Sequence, residues 1–120
     1  MHGLHLTADL RGCHAANPAL TDAAALRDAC LAAVRGAGLH AVGELFHAFP
    51  APGGVTGMVL LAESHLAVHT WPERATVTLD VYVCNLGHDN RARAEALMAA
   101  LEALFAPTAA ERHRIERGLT

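Results

Sequence analysis

Residues 76–84 read Thr-Val-Thr-Leu-Asp-Val-Tyr-Val-Cys. The alternation is strict. Val77, Leu79, Val81 and Val83 fall on one side, and Thr78, Asp80, Tyr82 and Cys84 on the other. A period of two is that of a half-buried strand, because successive side chains leave an extended chain on opposite faces. The stretch before it, Val55 to Trp71, is almost unbroken apolar sequence, interrupted by Glu63, Ser64, His65 and His69. Within residues 65–71 the parity sorts Leu66, Val68 and Thr70 onto one face. His65, Ala67, His69 and Trp71 take the other. If Val77 and Leu66 look inward, then His69, Trp71, Asp80, Tyr82 and Cys84 share one uncovered face.

Further out, residues 3–11 and 39–49 also read as strands. Residues 21–36 read as a helix with Thr21 as its cap and Asp22 in the first turn. Leu26, Cys30, Leu31 and Val34 form its apolar stripe, and Gly36 and Gly38 stop it. Residues 89–105 make a second helix on Ala94, Leu97, Met98, Leu101, Leu104 and Phe105, ended by Pro107. The polar tail ERHRIERG adds a short edge strand. The order β-α-β-β-β-β-α, with most strands in hairpin succession, predicts an α+β fold. It is a two-layer α/β sandwich, an antiparallel sheet with both helices on one face. The uncovered face then needs a lid, and a second copy of the chain is the economical one.

Composition narrows the function. With 120 residues, 52% of them hydrophobic and 18% charged, the chain makes one domain, 1–120, with a real core. The net charge of −3 gives no basic footprint for nucleic acid. No run reaches the ~20 apolar residues of a membrane span, and the polar N-terminus is not that of a signal peptide. Three cysteines without a CxxC pair, Cys13, Cys30 and Cys84, fit a reducing cytoplasm. All nine basic residues are arginine. A lysine Schiff base with pyridoxal phosphate is therefore excluded, and amine chemistry would need another carbonyl.

Glu63-Ser64-His65-Leu66-Ala67-Val68-His69-Thr70-Trp71-Pro72-Glu73 contains a route to one. A serine hydroxyl can attack the adjacent peptide carbonyl where the backbone is bent and the oxyanion is stabilised. The resulting ester eliminates when the serine α-proton is removed. Dehydroalanine forms and hydrolyses to a pyruvoyl group at the new N-terminus.

GGVTG (53–57), AESHLAVHTWPE (62–73) and LDVYVC (79–84) resemble the short prokaryotic S-adenosylmethionine decarboxylase proenzymes, over nearly the whole chain from Gly3 to the ERG at 116–118. The resemblance implies autocatalytic cleavage of a zymogen between Glu63 and Ser64, giving a β chain of 1–63 and an α chain of 64–120. Ser64 matches the pyruvoyl precursor, His69 the base that takes its α-proton, and Cys84 the catalytic proton donor. Thr56 matches a hydroxyl that assists processing. Phe49 and Trp71 match aromatic positions near the adenine, and Glu73 an acid that holds the substrate. It further implies a Schiff base between the pyruvoyl group and the substrate amine, a homodimer of processed protomers, and a product that is the aminopropyl donor for spermidine. Departures are a PAPGG loop one residue longer than usual, Asn85 where glycine is common, and Cys13-His14 in place of a more acidic stretch. These leave arginine or ornithine open as alternative substrates, and a non-processed regulatory homologue as the alternative outside catalysis. No metal is expected. His65 and His69, four apart on a strand, would stand about 13 Å from one another.

Overall fold

The computed structural model describes residues 2–118. Six strands form one sheet: β1 (Gly3–Arg11), β2 (Ala41–Ala48), β3 (Val55–Leu61), β4 (Ser64–Trp71), β5 (Thr76–Cys84) and β6 (Ala109–Arg117). Helix α1 (Ala23–Gly36) follows β1, and α2 (Arg91–Phe105) follows β5. The spatial order is β2-β3-β4-β5-β1-β6, with every neighbouring pair antiparallel. Consecutive strands pair through β2-β3-β4-β5, as short hairpin links favour. The chain's first strand then slots in beyond β5, and the polar tail closes the far edge as a nine-residue strand.

The predicted parity holds. Leu4, Leu6, Ala8 and Leu10 of β1 are buried on one face of the sheet with Leu66 and Val68 of β4 and Val77, Leu79, Val81 and Val83 of β5. Against them pack Leu26, Cys30 and Val34 of α1, and Ala94, Leu97, Met98, Leu101 and Phe105 of α2. Each leucine, valine, methionine or phenylalanine among them is worth roughly 1.5–3 kcal/mol when withdrawn from water. Both helices cover the same face. Among the described residues no helix is long and apolar enough to cross a membrane.

The α1 cap differs from expectation by one residue. Asp22, not Thr21, is the N-cap, and its Oδ1 accepts from the Ala24 and Ala25 N–H groups at 2.9 and 3.2 Å. A carboxylate satisfies two orphan donors and the positive helix end together, which a hydroxyl does less well. Thr21 instead closes the short 3-10 turn Pro18–Leu20.

Thr70 is the buried polar joint that fixes the β3–β4 hairpin against that turn. Its Oγ1 donates to the Leu20 carbonyl at 2.7 Å and accepts from the Val55 N–H at 2.8 Å. Gly54 is required beside it, since a Cβ there would lie 2.1 Å from the Thr70 carbonyl oxygen. Thr70→Val keeps the shape and strands the buried Val55 N–H. We expect a loss of roughly 1–3 kcal/mol, read from the urea-unfolding midpoint. An unchanged midpoint would remove Thr70 from this role.

Candidate active site

The β3–β4 hairpin is closed by only two residues, Ala62 and Glu63, between the paired Leu61 and Ser64. Glu63 takes the left-handed conformation, with φ of 57°. For a side chain other than glycine this costs roughly 1–2 kcal/mol. Relaxed two-residue hairpins place Asn-Gly or Asp-Gly here. The strained residue is the one whose carbonyl precedes Ser64. From Ser64, the hydroxyl reaches that carbonyl carbon by closing a five-membered ring. Its Oγ is already located, accepting a hydrogen bond from the Cys84 N–H at 3.1 Å.

Cys84 ends β5 and is 8% exposed. Its Sγ accepts from the Leu86 N–H at 3.4 Å, and its carbonyl accepts from Asn90 Nδ2 at 2.9 Å. The loop between β5 and α2 is tied down further. Asn85 Oδ1 accepts from the Asn90 N–H at 2.8 Å, and the Asn85 N–H donates to the His2 carbonyl at 2.7 Å. A short, self-bonded loop therefore fixes the thiol beside the Ser64 strand end. The other two cysteines are packing residues. Burial pushes the Cys30 thiol up to about 12 and raises that of Cys13.

Thr56 and His69 form a second pair. They are cross-strand partners, and Thr56 Oγ1 lies 3.1 Å from His69 Nδ1. The His69 ring stacks on Trp71 at 5.8 Å and 28°. His47, the β2 partner of Thr56, meets Phe49 edge-on at 4.8 Å. Phe49 is 50% exposed and Trp71 39%, so both rings offer open area. Glu73 lies just beyond Trp71 in the exposed 3-10 turn Pro72–Arg74.

Ser64 and His69 are five residues apart on one strand, which places their backbones about 16 Å from each other. Within one protomer, then, the fold unites Ser64 with Cys84 and Thr56 with His69. It leaves the two pairs at opposite ends of β4.

Between the pairs lies a polar group that sequence reasoning largely missed. His5 Nε2 is 3.1 Å from Asp80 Oδ2, and His5 Nδ1 is 3.4 Å from a nitrogen of Arg117. Arg117 sits over the Tyr82 ring, 5.4 Å from its centroid, and His65 stacks on the same tyrosine at 5.7 Å and 28°. Gly3 lets Tyr82 lie flat against β1, since a Cβ there would come within 2.4 Å of the phenol oxygen. Parity placed Asp80 and Tyr82 on this face. His5 and Arg117 arrive there only because β1 lies beside β5 and β6 beside β1, which no local pattern encodes. Burial first, then the neighbouring His5, pull the His65 pKa below the ordinary histidine range.

Val42, Leu60, Glu63, Ser64, His65, Tyr82 and Arg117 line a cleft of about 640 Å³. A smaller hollow of about 300 Å³ lies between α2 and β6, where Arg112 and Arg114 pair with Glu102 and Glu95, and does not include Ser64. Around the cleft the open face exposes Leu45, Met58, Leu60 and Ile115. Among the described residues no three His, Cys, Asp or Glu side chains converge as a metal site.

The chain is similar to known proteins in sequence and in fold. The family model described as S-adenosylmethionine decarboxylase matches residues 4–118. An S-adenosylmethionine decarboxylase proenzyme from a Hydrogenobaculum species is 36% identical over 118 residues, covering 98% of this chain and 82% of the relative. Another from Symbiobacterium thermophilum is 39% identical over 100 residues, 83% of this chain and 74% of the relative. The crystal structure of the adenosylmethionine decarboxylase from Aquifex aeolicus superposes with a TM-score of 0.87 at 33% identity, covering 98% of this chain and 92% of that one. Sequence and fold agree from β1 to the end of β6, and the chain belongs to the S-adenosylmethionine decarboxylase family.

Proposed function

We propose that this chain is made as a precursor, cuts itself between Glu63 and Ser64, and then decarboxylates S-adenosylmethionine to the aminopropyl donor used for spermidine. The observation that carries this is the left-handed Glu63 directly before a serine whose Oγ is held by a backbone N–H. Strain at the peptide to be cut is released by cutting it, so the ground state is raised toward the reaction.

The chemistry balances on the residues present. Ser64 Oγ bonds to the Glu63 carbonyl carbon, and the peptide nitrogen leaves as an amine. Removal of the Ser64 α-proton expels Glu63 as a carboxylate. Water then replaces the enamine nitrogen as ammonia. The α-proton needs a base, and an imidazole suits that task. His69 is the candidate, oriented through Nδ1 by Thr56.

Since His69 stands about 16 Å from Ser64 along its own strand, the reading requires a second protomer. Two sheets packed through their open faces, antiparallel to one another, set the His69 end of one β4 over the Ser64 end of the other. The apolar Leu45, Met58, Leu60 and Ile115 supply the area to be buried there.

A pyruvoyl carbonyl at position 64 would act as the electron sink for loss of carbon dioxide from a bound amino acid. The cleft at Ser64 and the thiol beside it fit such a group. Cys84 supplies the proton that replaces the carboxyl group, its thiol acting as general acid. Phe49 and Trp71 present the half-exposed ring faces that an adenine and a sulfonium require. Glu73, just past Trp71, is within the same region for a ribose hydroxyl. Those rings favour the adenosyl substrate over arginine or ornithine, whose distal cations would call for carboxylates there.

Ser64→Ala removes the attacking hydroxyl. A single uncut chain of 12.6 kDa is expected by intact mass, with no carbon dioxide release from S-adenosylmethionine. Two fragments from that variant would rule out the serine route. Cys84→Ser keeps Ser64 and His69, so cleavage should proceed at least in part. Decarboxylation should fall about 10²-fold, the scale of a lost general acid. Undiminished turnover in fully cut Cys84→Ser protein would remove the cysteine as proton donor.

A further inference from the structure

Among the described residues, Arg117 is the one guanidinium lining the cleft at Ser64. It has no carboxylate partner among the described residues. It is held in place by the Tyr82 ring at 5.4 Å and by His5 Nδ1 at 3.4 Å. His5 in turn presents Nε2 to Asp80 at 3.1 Å. With Nε2–H donating to that carboxylate, Nδ1 is left as an acceptor, and the guanidinium is the donor that suits it. The Asp80–His5–Arg117 chain thus aims a cation without neutralising it. Its other neighbour, His65, is biased toward the uncharged ring, chiefly by burial. Arg117 is therefore the fixed positive charge of a cleft that also holds Glu63 and Ser64.

A guanidinium so placed is a receptor for a planar carboxylate, which it can grip with two parallel hydrogen bonds. Self-cleavage makes one in this cleft. When the ester eliminates, the electron pair of the breaking Cβ–O bond stays on oxygen, so the Glu63 end is an anion from the moment of release. It is no longer tied to the left-handed turn. We propose that Arg117 is the carboxylate receptor of this cleft and captures the new α-carboxylate of Glu63, drawing the cut end away from residue 64. The proposal rests on the self-cleavage reading above. The substrate's own carboxylate is the other source of the same chemistry.

The test compares thermal unfolding midpoints of four proteins: wild type and Arg117→Met, each with and without Ser64→Ala. KM for S-adenosylmethionine is measured on the two that retain Ser64. If Arg117 holds the new chain end, Arg117→Met lowers the midpoint of cut protein by about 4 °C or more beyond the shift it causes in the uncut pair, which loses only the Tyr82 and His5 contacts. Arg117→Lys, which keeps the charge and loses the fork, should fall between. Equal shifts in cut and uncut protein, with KM raised about tenfold and kcat held, would overturn capture of Glu63 and give the receptor to the substrate's carboxylate. Equal shifts with unchanged KM would overturn the carboxylate receptor altogether. Loss of cleavage in Arg117→Met would overturn capture of the product end too, since the residue would then act before that end exists. An uncut wild-type chain would overturn self-cleavage itself, and this proposal with it.

Discussion

The left-handed backbone at Glu63 is the constraint around which the site is built. A two-residue link between β3 and β4 forces a residue near that tip out of the ordinary regions, and no glycine or asparagine is there to take it. The sheet over-determines the strain. Leu61 and Ser64 are locked as partners, Ser64 is hydrogen-bonded from Cys84, and the hairpin's other end is pinned by Thr70 to Leu20 and Val55. A core of large aliphatic side chains behind the sheet makes slippage of that register costly, because a shift by one residue would turn the buried valines of β5 outward. The same regularity that stabilises the fold thus concentrates strain at the bond preceding Ser64.

The sheet also divides labour between its faces and along its length. One face is sealed by two helices, and Ser64, at the first position of β4, shares its parity with the buried Leu66 and Val68 of that face. The open face carries every polar ring of the site in cross-strand rows, with His47, Thr56 and His69 in one and His65, Tyr82 and His5 in another. The rows of His69 and His65 are four residues apart along β4, which on one sheet is about 13 Å and beyond direct contact. In the proposed reading a second sheet, turned end for end, completes the set by bringing the His69 end of one β4 to the Ser64 end of the other. In this account the open apolar surface and the divided site are one feature seen from two sides.

Much of this was visible in the sequence. Strict alternation in 76–84 fixed the buried face of β5 and, through it, the side on which Asp80, Tyr82 and Cys84 stand. Both helix stripes and both helix ends came within two residues of the structure, since apolar periodicity and Pro or Gly stops are local signals. Capping was misjudged at Thr21, because two adjacent capping-competent residues look alike until the backbone turns. Alternation also gave His69 and Trp71 a common face, which the structure bears out as a stacked pair. Two things escaped. The nine-residue length of β6 did, since its charges alternate without an apolar stripe and it is paired only along β1. So did the gathering of His5, Asp80 and Arg117, which lie 75 and 112 residues apart in their two contacts. Contacts of that range depend on which strands become neighbours, and no spacing within the chain carries that information.

In the proposed reading, the strained Glu63–Ser64 bond of one protomer is processed by His69 of another. Co-expression of a tagged Ser64→Ala chain with an untagged His69→Ala chain tests it directly. Neither chain has a complete set, but a mixed pair contains one intact Ser64 facing one intact His69. The account predicts that His69→Ala protein, uncut when made alone, is cut into 1–63 and 64–120 when it co-purifies with its Ser64→Ala partner, as read by intact mass. A His69→Ala chain that stays whole within the mixed complex, or one that cuts itself at the wild-type rate when alone, would contradict it.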